Sequence, residues 1–209
     1  NRKEFDLSGV SMWHELGYTG KGIRIANLES TNPALPFFHG KIRDPFDICH
    51  SDYKNSHGTN TADVLHQVAP ESEIHIIPSG GQYGRGYARG RFVEEGIPYL
   101  EQERIHLVNA SLGGVDNPVL NARIEQAQQH SVTFVTSAGN EADSGPSGYA
   151  RSGVWIAVGA VHLSGKGEIL HAGYSSIGEA VDFTQFSGLY VHDARKGYED
   201  RTFPVQGTS

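Results

Sequence analysis

Short apolar runs alternate along the chain with longer stretches in which apolar residues return every three or four positions. The first run, Ile23-Arg24-Ile25-Ala26-Asn27-Leu28, is entered from the turn Thr19-Gly20-Lys21-Gly22 and closed by Glu29-Ser30-Thr31-Asn32-Pro33. It predicts a strand with a carboxylate at its C-terminal end. After a loop region rich in Pro and Asp, His57 to Val68 reads as a helix that stops before Pro70, and Glu73-Ile74-His75-Ile76-Ile77 as the strand directly after it. Phe92 to Ile105 is charged and predicts a helix in which Pro98, lacking an N–H, marks a first turn or a kink. His106 to Leu112 reads as a buried strand, Val119 to Gln129 as a helix with Leu120, Ile124 and Ala127 on one face, and Val132 to Thr136 as a further strand. Val154 to Val161 continues the series, and Ser175 to Thr208 carries short strands separated by Gly and Pro with no clear helix. Such alternation implies βαβ units and a parallel sheet, whose sites form at the carboxyl ends of the strands.

Composition narrows the picture. A chain of 209 residues without internal repeats is expected to form one domain, residues 1–209, able to bury a real core. Its 26 glycines, where the usual ~7% would give about 15, favour a fold rich in turns and close backbone approaches. Seventeen basic against 24 acidic residues, a net charge of −7, oppose the phosphate-neutralising surface that nucleic-acid binding requires. The lone Cys49 excludes an intrachain disulfide and a multi-cysteine zinc cluster, and reads as a small, partly buried hydrophobe. No apolar run approaches the roughly 18 residues of a membrane span and no charged-then-apolar leader opens the chain. The expectation is a soluble protein, secreted or cytoplasmic, and its start at Asn1 reads as a processed form.

Acyl-transfer chemistry requires a hydroxyl nucleophile, an imidazole base, a carboxylate to orient that base and donors for the oxyanion. The chain offers Glu29 at the end of the first strand, His57 in His57-Gly58-Thr59, Asn140 in Ser137-Ala138-Gly139-Asn140, and Ser209 in Gly207-Thr208-Ser209. Each is common alone; their order, acid then histidine then serine, is what carries weight.

In that order and context the chain resembles the subtilisin-like serine peptidases along nearly its whole length. Arg24 to Ser30 is similar to the strand delivering the acid, His57 to Ala62 to the histidine helix, and Val108 to Gly114 to the strand ending in Ser-Leu-Gly-Gly. Phe134 to Glu141 is similar to the strand leading to the oxyanion asparagine, Ile156 to Val161 to a framework strand, and Tyr174 to Gly178 to the loop after it. The resemblance implies a three-layer α/β fold with a mainly parallel central sheet, its C-terminal portion missing. It implies a serine endopeptidase acting through an acyl-enzyme, with Glu29, His57 and Ser209 as the triad and Asn140 at the oxyanion. An extended substrate would pair with Ser79-Gly80-Gly81 and Ser111-Leu112-Gly113-Gly114, with Gln82-Tyr83 beside an outer pocket. The pocket for the residue before the scissile bond would lie between Ser111 to Gly113 and Ser137 to Gly139, with Glu141 at its rim.

Several positions depart from the family pattern. Glu29 stands in place of Asp, Asn60 in place of a second His, Asp63 in place of a small residue and Ala150 in place of a common Pro, and Gly145 to Ser152 is short. Between Val64 and Ala69 the insertion that wraps a calcium ion in many relatives is missing, so no cofactor and no tight calcium site are expected. Asp44, Asp47 and Asp52 read as a solvated loop, and His50, Asp52 and His57 lack zinc spacing. Because the resemblance places Ser209 at the start of a long helix, the isolated chain is expected to be inactive, with a C-terminal complementary fragment and a pro-segment as partners beside the polypeptide substrate. Two other readings stay open: a pseudoprotease serving as a peptide-binding or assembly module, and a sedolisin-like acid peptidase, against which His57 counts.

Overall fold

The computed structural model describes residues 1–38, 40–43, 56–77, 90–193 and 201–207. Strands β1 (Arg24–Asn27), β2 (Ile42–Arg43), β3 (Glu73–Ile76), β4 (Leu107–Ala110), β5 (Thr133–Ser137), β6 (Ile156–Leu163), β7 (Ile169–His171) and β8 (Phe183–Phe186) make an eight-stranded sheet. Its order is β2-β3-β1-β4-β5-β6-β7, with β8 also on β6. Every pairing is parallel except β6 with β7. Apolar residues pack on both faces of this mainly parallel sheet, a three-layer α/β arrangement built from the βαβ units that the alternation of strand and helix signals implies.

Because strand side chains alternate between faces, each sheet face collects its own apolar set. Ile25, Ile42, Ile74 and Ile76 join Leu35, Phe38 and Ala62 on the side of helix α3 (Ser56–Val68). Ala26, Val108, Ala110 and Phe134 meet Ile97 and Leu100 of α4 (Ile97–Gln102) and Leu120, Ile124 and Ala127 of α5 (Pro118–Gln129) on the other. A fully buried Phe134 or Ile124 contributes on the order of 2 kcal/mol. Helix α5 begins where its sequence says it should: the Asn117 side chain accepts the Leu120 N–H at 3.0 Å and Pro118 occupies the first turn.

The 92–105 segment departs from a continuous helix. A π-helical turn, Phe92–Gly96, runs directly into α4, and Pro98, which has no N–H to donate, follows it in the first turn of α4. A Cβ on Gly96 would lie 2.5 Å from the Phe92 ring, so glycine permits this turn. Two short helices open the chain, α1 (Arg2–Ser8) and α2 (Val10–Glu15), separated by Gly9 at φ +81°. A last short helix, α6 (Gly148–Arg151), lies between β5 and β6.

Strands β9 (Tyr190–His192) and β10 (Thr202–Pro204) form a separate antiparallel pair. Asp63, completely buried on α3, accepts the His192 N–H at 2.6 Å, and its two carboxylate oxygens each lie 3.0 Å from His192 Nδ1. The His192 ring stacks on Phe37 with centroids 4.5 Å apart. A carboxylate therefore replaces the small residue expected at 63 because the strand beside it supplies donors to match. Gln67 Nε2 donates to Tyr190 O at 3.0 Å, and the Asn1 carboxamide exchanges hydrogen bonds with the Tyr190 N–H and C=O at 2.6 and 2.8 Å.

Candidate active site

Two residues past β1, Glu29 is 6% exposed, and its Oε1 lies 2.9 Å from His57 Nδ1 at the start of α3. Gly58 makes the approach possible, since a Cβ there would sit 2.1 Å from Ser30 O and 2.8 Å from Glu29 Cβ. The helix thus lies directly on the chain leaving β1. The hydrogen bond it donates to Glu29 holds the His57 imidazole above its ordinary pKa of 6.5, burial works in the opposite direction, and the carboxylate's charge adds to the rise. With Nδ1–H donated to the carboxylate, Nε2 is left as the basic nitrogen.

A polar lattice that the apolar reading of the strands missed lies beneath the pair. Asn27 and Asn109, neighbours in the β1–β4 register, bond through Asn109 Nδ2 and Asn27 Oδ1 at 2.9 Å. Asn27 Nδ2 reaches Thr61 Oγ1 at 3.2 Å, and the Thr31 and Thr61 hydroxyls each donate to Gly58 O at 3.0 Å. Asn109 Nδ2 also donates to Ser111 Oγ at 2.9 Å. A polar residue within each of two otherwise apolar strand cores was the available signal, because a buried amide must find partners.

The parallel register sets Ala110 beside Thr136, so Ser111 and Ser137 leave adjacent strand ends together, and both are 6% exposed. Thr136 Oγ1 donates to Ala110 O at 3.1 Å and contacts Leu112 O at 3.5 Å, tying the two walls. Gly114 receives the face of Tyr149, where a Cβ would be 2.1 Å from the ring, while Gly113 is exposed. Ala138 is buried, donating to Val158 O at 2.9 Å and accepting from Ser147 N at 2.8 Å. Gly139 takes φ +116°, and the Glu141 carboxylate occupies the space its Cβ would need. Asn140 is exposed in the same turn. Glu141 Oε2 accepts from Ser176 Oγ at 3.1 Å, a contact that fixes the rim carboxylate.

His57, Asn60, Asn109, Ser111 and Ser137 border a cavity of about 440 Å³ whose apolar lining comes from Val64, Leu65, Val135, Val158 and Ala160. Of the sequence-predicted residues, Glu29 meets His57 directly, and His57, Ser111 and Ser137 share this cavity. Ser79, Gly80, Gly81, Gln82, Tyr83 and Ser209 lie outside the described residues, as do Cys49, His50, Asp44, Asp47 and Asp52. Among the described residues no group of three His, Cys, Asp or Glu side chains is gathered for a metal ion, and no helix is long and apolar enough to cross a membrane. Helix α3 runs to Val68 and reaches β3 through Ala69 to Ser72 alone.

The subtilase family model matches residues 31–194, a span that includes His57, Ser111 and Asn140 and lies between Glu29 and Ser209. The chain is similar to the major intracellular serine protease of Bacillus subtilis (strain 168), 32% identical over 158 residues, covering 66% of this chain and 48% of that protein. It is also similar to a thermostable alkaline protease of Halalkalibacterium halodurans, 25% identical over 209 residues, covering 94% of this chain and 55% of the relative. The chain thus spans about half the length of these curated relatives. Among solved structures, the prenylagaramide maturation protease superposes with a TM-score of 0.75 at 18% identity, covering 96% of this chain and 74% of the other. A cold-adapted subtilisin-like serine proteinase gives 0.69 at 21% identity, covering 91% and 71%.

Proposed function

The chain belongs to the subtilase family, and on that premise we infer that it carries serine endopeptidase chemistry with Glu29, His57 and Ser209 as triad and Asn140 as oxyanion donor. The observation that carries this reading is the 2.9 Å contact between a nearly buried Glu29 and His57 Nδ1. A glutamate bonded in this way keeps the orienting role despite its extra methylene, and the half-exposed imidazole presents Nε2 outward.

Ser209 Oγ attacks the scissile carbonyl carbon as its proton passes to His57 Nε2. The C=O electron pair becomes an oxyanion, which the Asn140 side-chain N–H stabilises. Collapse of that intermediate breaks the C–N bond, the departing amine takes the proton from Nε2, and an acyl-enzyme remains. Water then repeats the sequence, giving up its proton to Nε2 and releasing the acid and Ser209. Throughout, the Glu29 carboxylate steadies the cationic imidazole.

The peptide would lie as an added strand between Ser79 to Gly81 and Ser111 to Gly114, its backbone admitted by Gly113. Its side chain before the scissile bond would enter between Ser111 to Gly113 and Ser137 to Gly139. There the Glu141 carboxylate, folded over Gly139, supports a small preference for Lys or Arg. The apolar cavity beside His57 supports a seat for a complementary segment of polypeptide. No metal is assigned a role.

Labelling of the full-length protein with a fluorophosphonate tests this reading, because only a serine activated by its base and oxyanion site reacts quickly. Rapid labelling that is lost in Ser209→Ala and His57→Ala is expected. Tight peptide binding without labelling would instead identify a peptide-binding pseudoprotease.

A further inference from the structure

Tyr174 touches two parts of the site that lie far apart in sequence. Its carbonyl oxygen accepts the Ala142 N–H at 3.0 Å, and with Ser176, two residues on, it clasps the turn that holds Asn140. Ser176 N donates to Gly139 O at 2.9 Å, and Glu141 N donates to Ser176 Oγ at 3.2 Å. Ala142 itself takes φ +48°, a left-handed conformation a residue other than glycine keeps only where its surroundings enforce it. The Tyr174–Ser176 segment therefore braces the 139–142 turn at three of its residues.

At its other end the Tyr174 hydroxyl accepts the Gly207 N–H at 3.2 Å and shares a hydrogen bond with Ser187 Oγ at 2.5 Å. Gly207 is two residues before Ser209, has φ +145° and lines the same cavity as His57. A phenol donating to Ser187 keeps its lone pairs for Gly207, so both bonds are satisfied at once. Upstream, Val205 N donates to Leu189 O at 2.9 Å. The approach to residue 209 is thus held at 205 by the main chain of the β9–β10 pair and at 207 by one side-chain oxygen.

We propose that Tyr174 is a positioning residue whose hydroxyl sets the nucleophile segment in register with the Asn140 turn that its own backbone holds. This rests on the Ser209 and Asn140 roles inferred above and adds the element that aligns them. Attack demands that nucleophile, carbonyl and oxyanion donor meet within fractions of an ångström, and a displacement of 1 Å can cost about 100-fold. A planar ring bonded at both ends fixes that separation with few rotatable bonds.

The test compares full-length wild-type protein with Tyr174→Phe, which removes one oxygen and keeps the ring. Tyr174→Phe is expected to slow fluorophosphonate labelling and lower kcat by about 10- to 100-fold. KM and the Kd of a product peptide are expected to stay within about two-fold, because the substrate strands are untouched. Amide hydrogen exchange at Gly207 is expected to accelerate, a local readout that a packing role for the ring does not predict. Unchanged labelling in the Phe variant, or unchanged Gly207 exchange, overturns the assignment while leaving the peptidase reading in place. Product affinity falling in parallel with kcat overturns it as well, since the tyrosine would then serve peptide binding. A wild-type protein that fails to label overturns the peptidase reading and this inference together.

Discussion

Glu29→Gln removes the charge from a carboxylate whose side chain is 7% exposed while keeping its size. Unit charges 2.9 Å apart, as Glu29 and a protonated His57 would be, attract by about 6 kcal/mol at an effective dielectric of 20 and about 1.4 kcal/mol in bulk water. The His57 side chain is 46% exposed, so solvent replaces part of what the carboxylate supplies. An intermediate loss of about 3–4 kcal/mol, or roughly 10²–10³-fold in kcat, is expected. That lies below the ~10⁴-fold known for an orienting aspartate in a related triad. Glu29→Asp keeps the charge but withdraws it by about one methylene, and should lose less. The pH profile gives an independent check. Glu29 raises the His57 pKa above 6.5, so the acid limb of kcat/KM should have its midpoint above 6.5 in wild type and move down in the Gln variant. The stability effect has the matching sign: the raised pKa stabilises the fold fully below 6.5 and loses this as pH rises through the folded value. Urea denaturation should therefore separate wild type and Glu29→Gln most in mild acid and least in alkali. Wild-type turnover in the Gln variant, or an unmoved acid limb, would refute the orienting role.

Further substitutions probe other contacts. Gly58→Ala places a methyl group 2.1 Å from Ser30 O, so the helix must move off the chain after β1, costing about 1–3 kcal/mol in chemical denaturation and lowering kcat with it. His192→Ala takes the imidazole donor from the buried Asp63 carboxylate and leaves it the residue-192 N–H, so it should cost about 1–3 kcal/mol, whereas Asp63→Ala/His192→Ala together should cost less than the sum, as a double-mutant cycle measures. Glu141→Gln should reduce selectivity for Lys or Arg before the scissile bond by 1 kcal/mol or less, read from cleavage of a peptide library, because the rim is solvent-screened.

Much of the sheet and the Glu29–His57 pair were legible because both are local statements that topology then joins. Ile25-Ala26 and Ile74-His75-Ile76 announce strands, and a residue just past a strand end is delivered to the functional edge of a parallel sheet. Asp63 was harder, because a carboxylate in a helix carries no mark of the histidine 129 residues away that balances it. The short helices around Gly9 lack the length that makes periodicity distinct, and no buried residue falls within either of them. The π turn at Phe92–Gly96 depends on how one ring folds against one glycine, which is tertiary packing rather than pattern. Asn27 and Asn109 stood in view but were absorbed into apolar runs, although their shared register makes each the other's partner.

The helix carrying His57 is tied to chain that is made much later. Asp63 meets His192 across 129 positions, Gln67 meets Tyr190 across 123, and Asn1 meets Tyr190 across 189. During synthesis from the N-terminus, β1 and α3 emerge long before the strand that latches them, and closing loops of this span is entropically slow to reward. The helix that carries His57 and the approach to residue 209 are both tied to the β9–β10 pair, the first through Asp63 and Gln67 and the second through Val205. Until β9 is made, the buried Asp63 and the Gln67 side chain of α3 lack the partners they have in the finished fold.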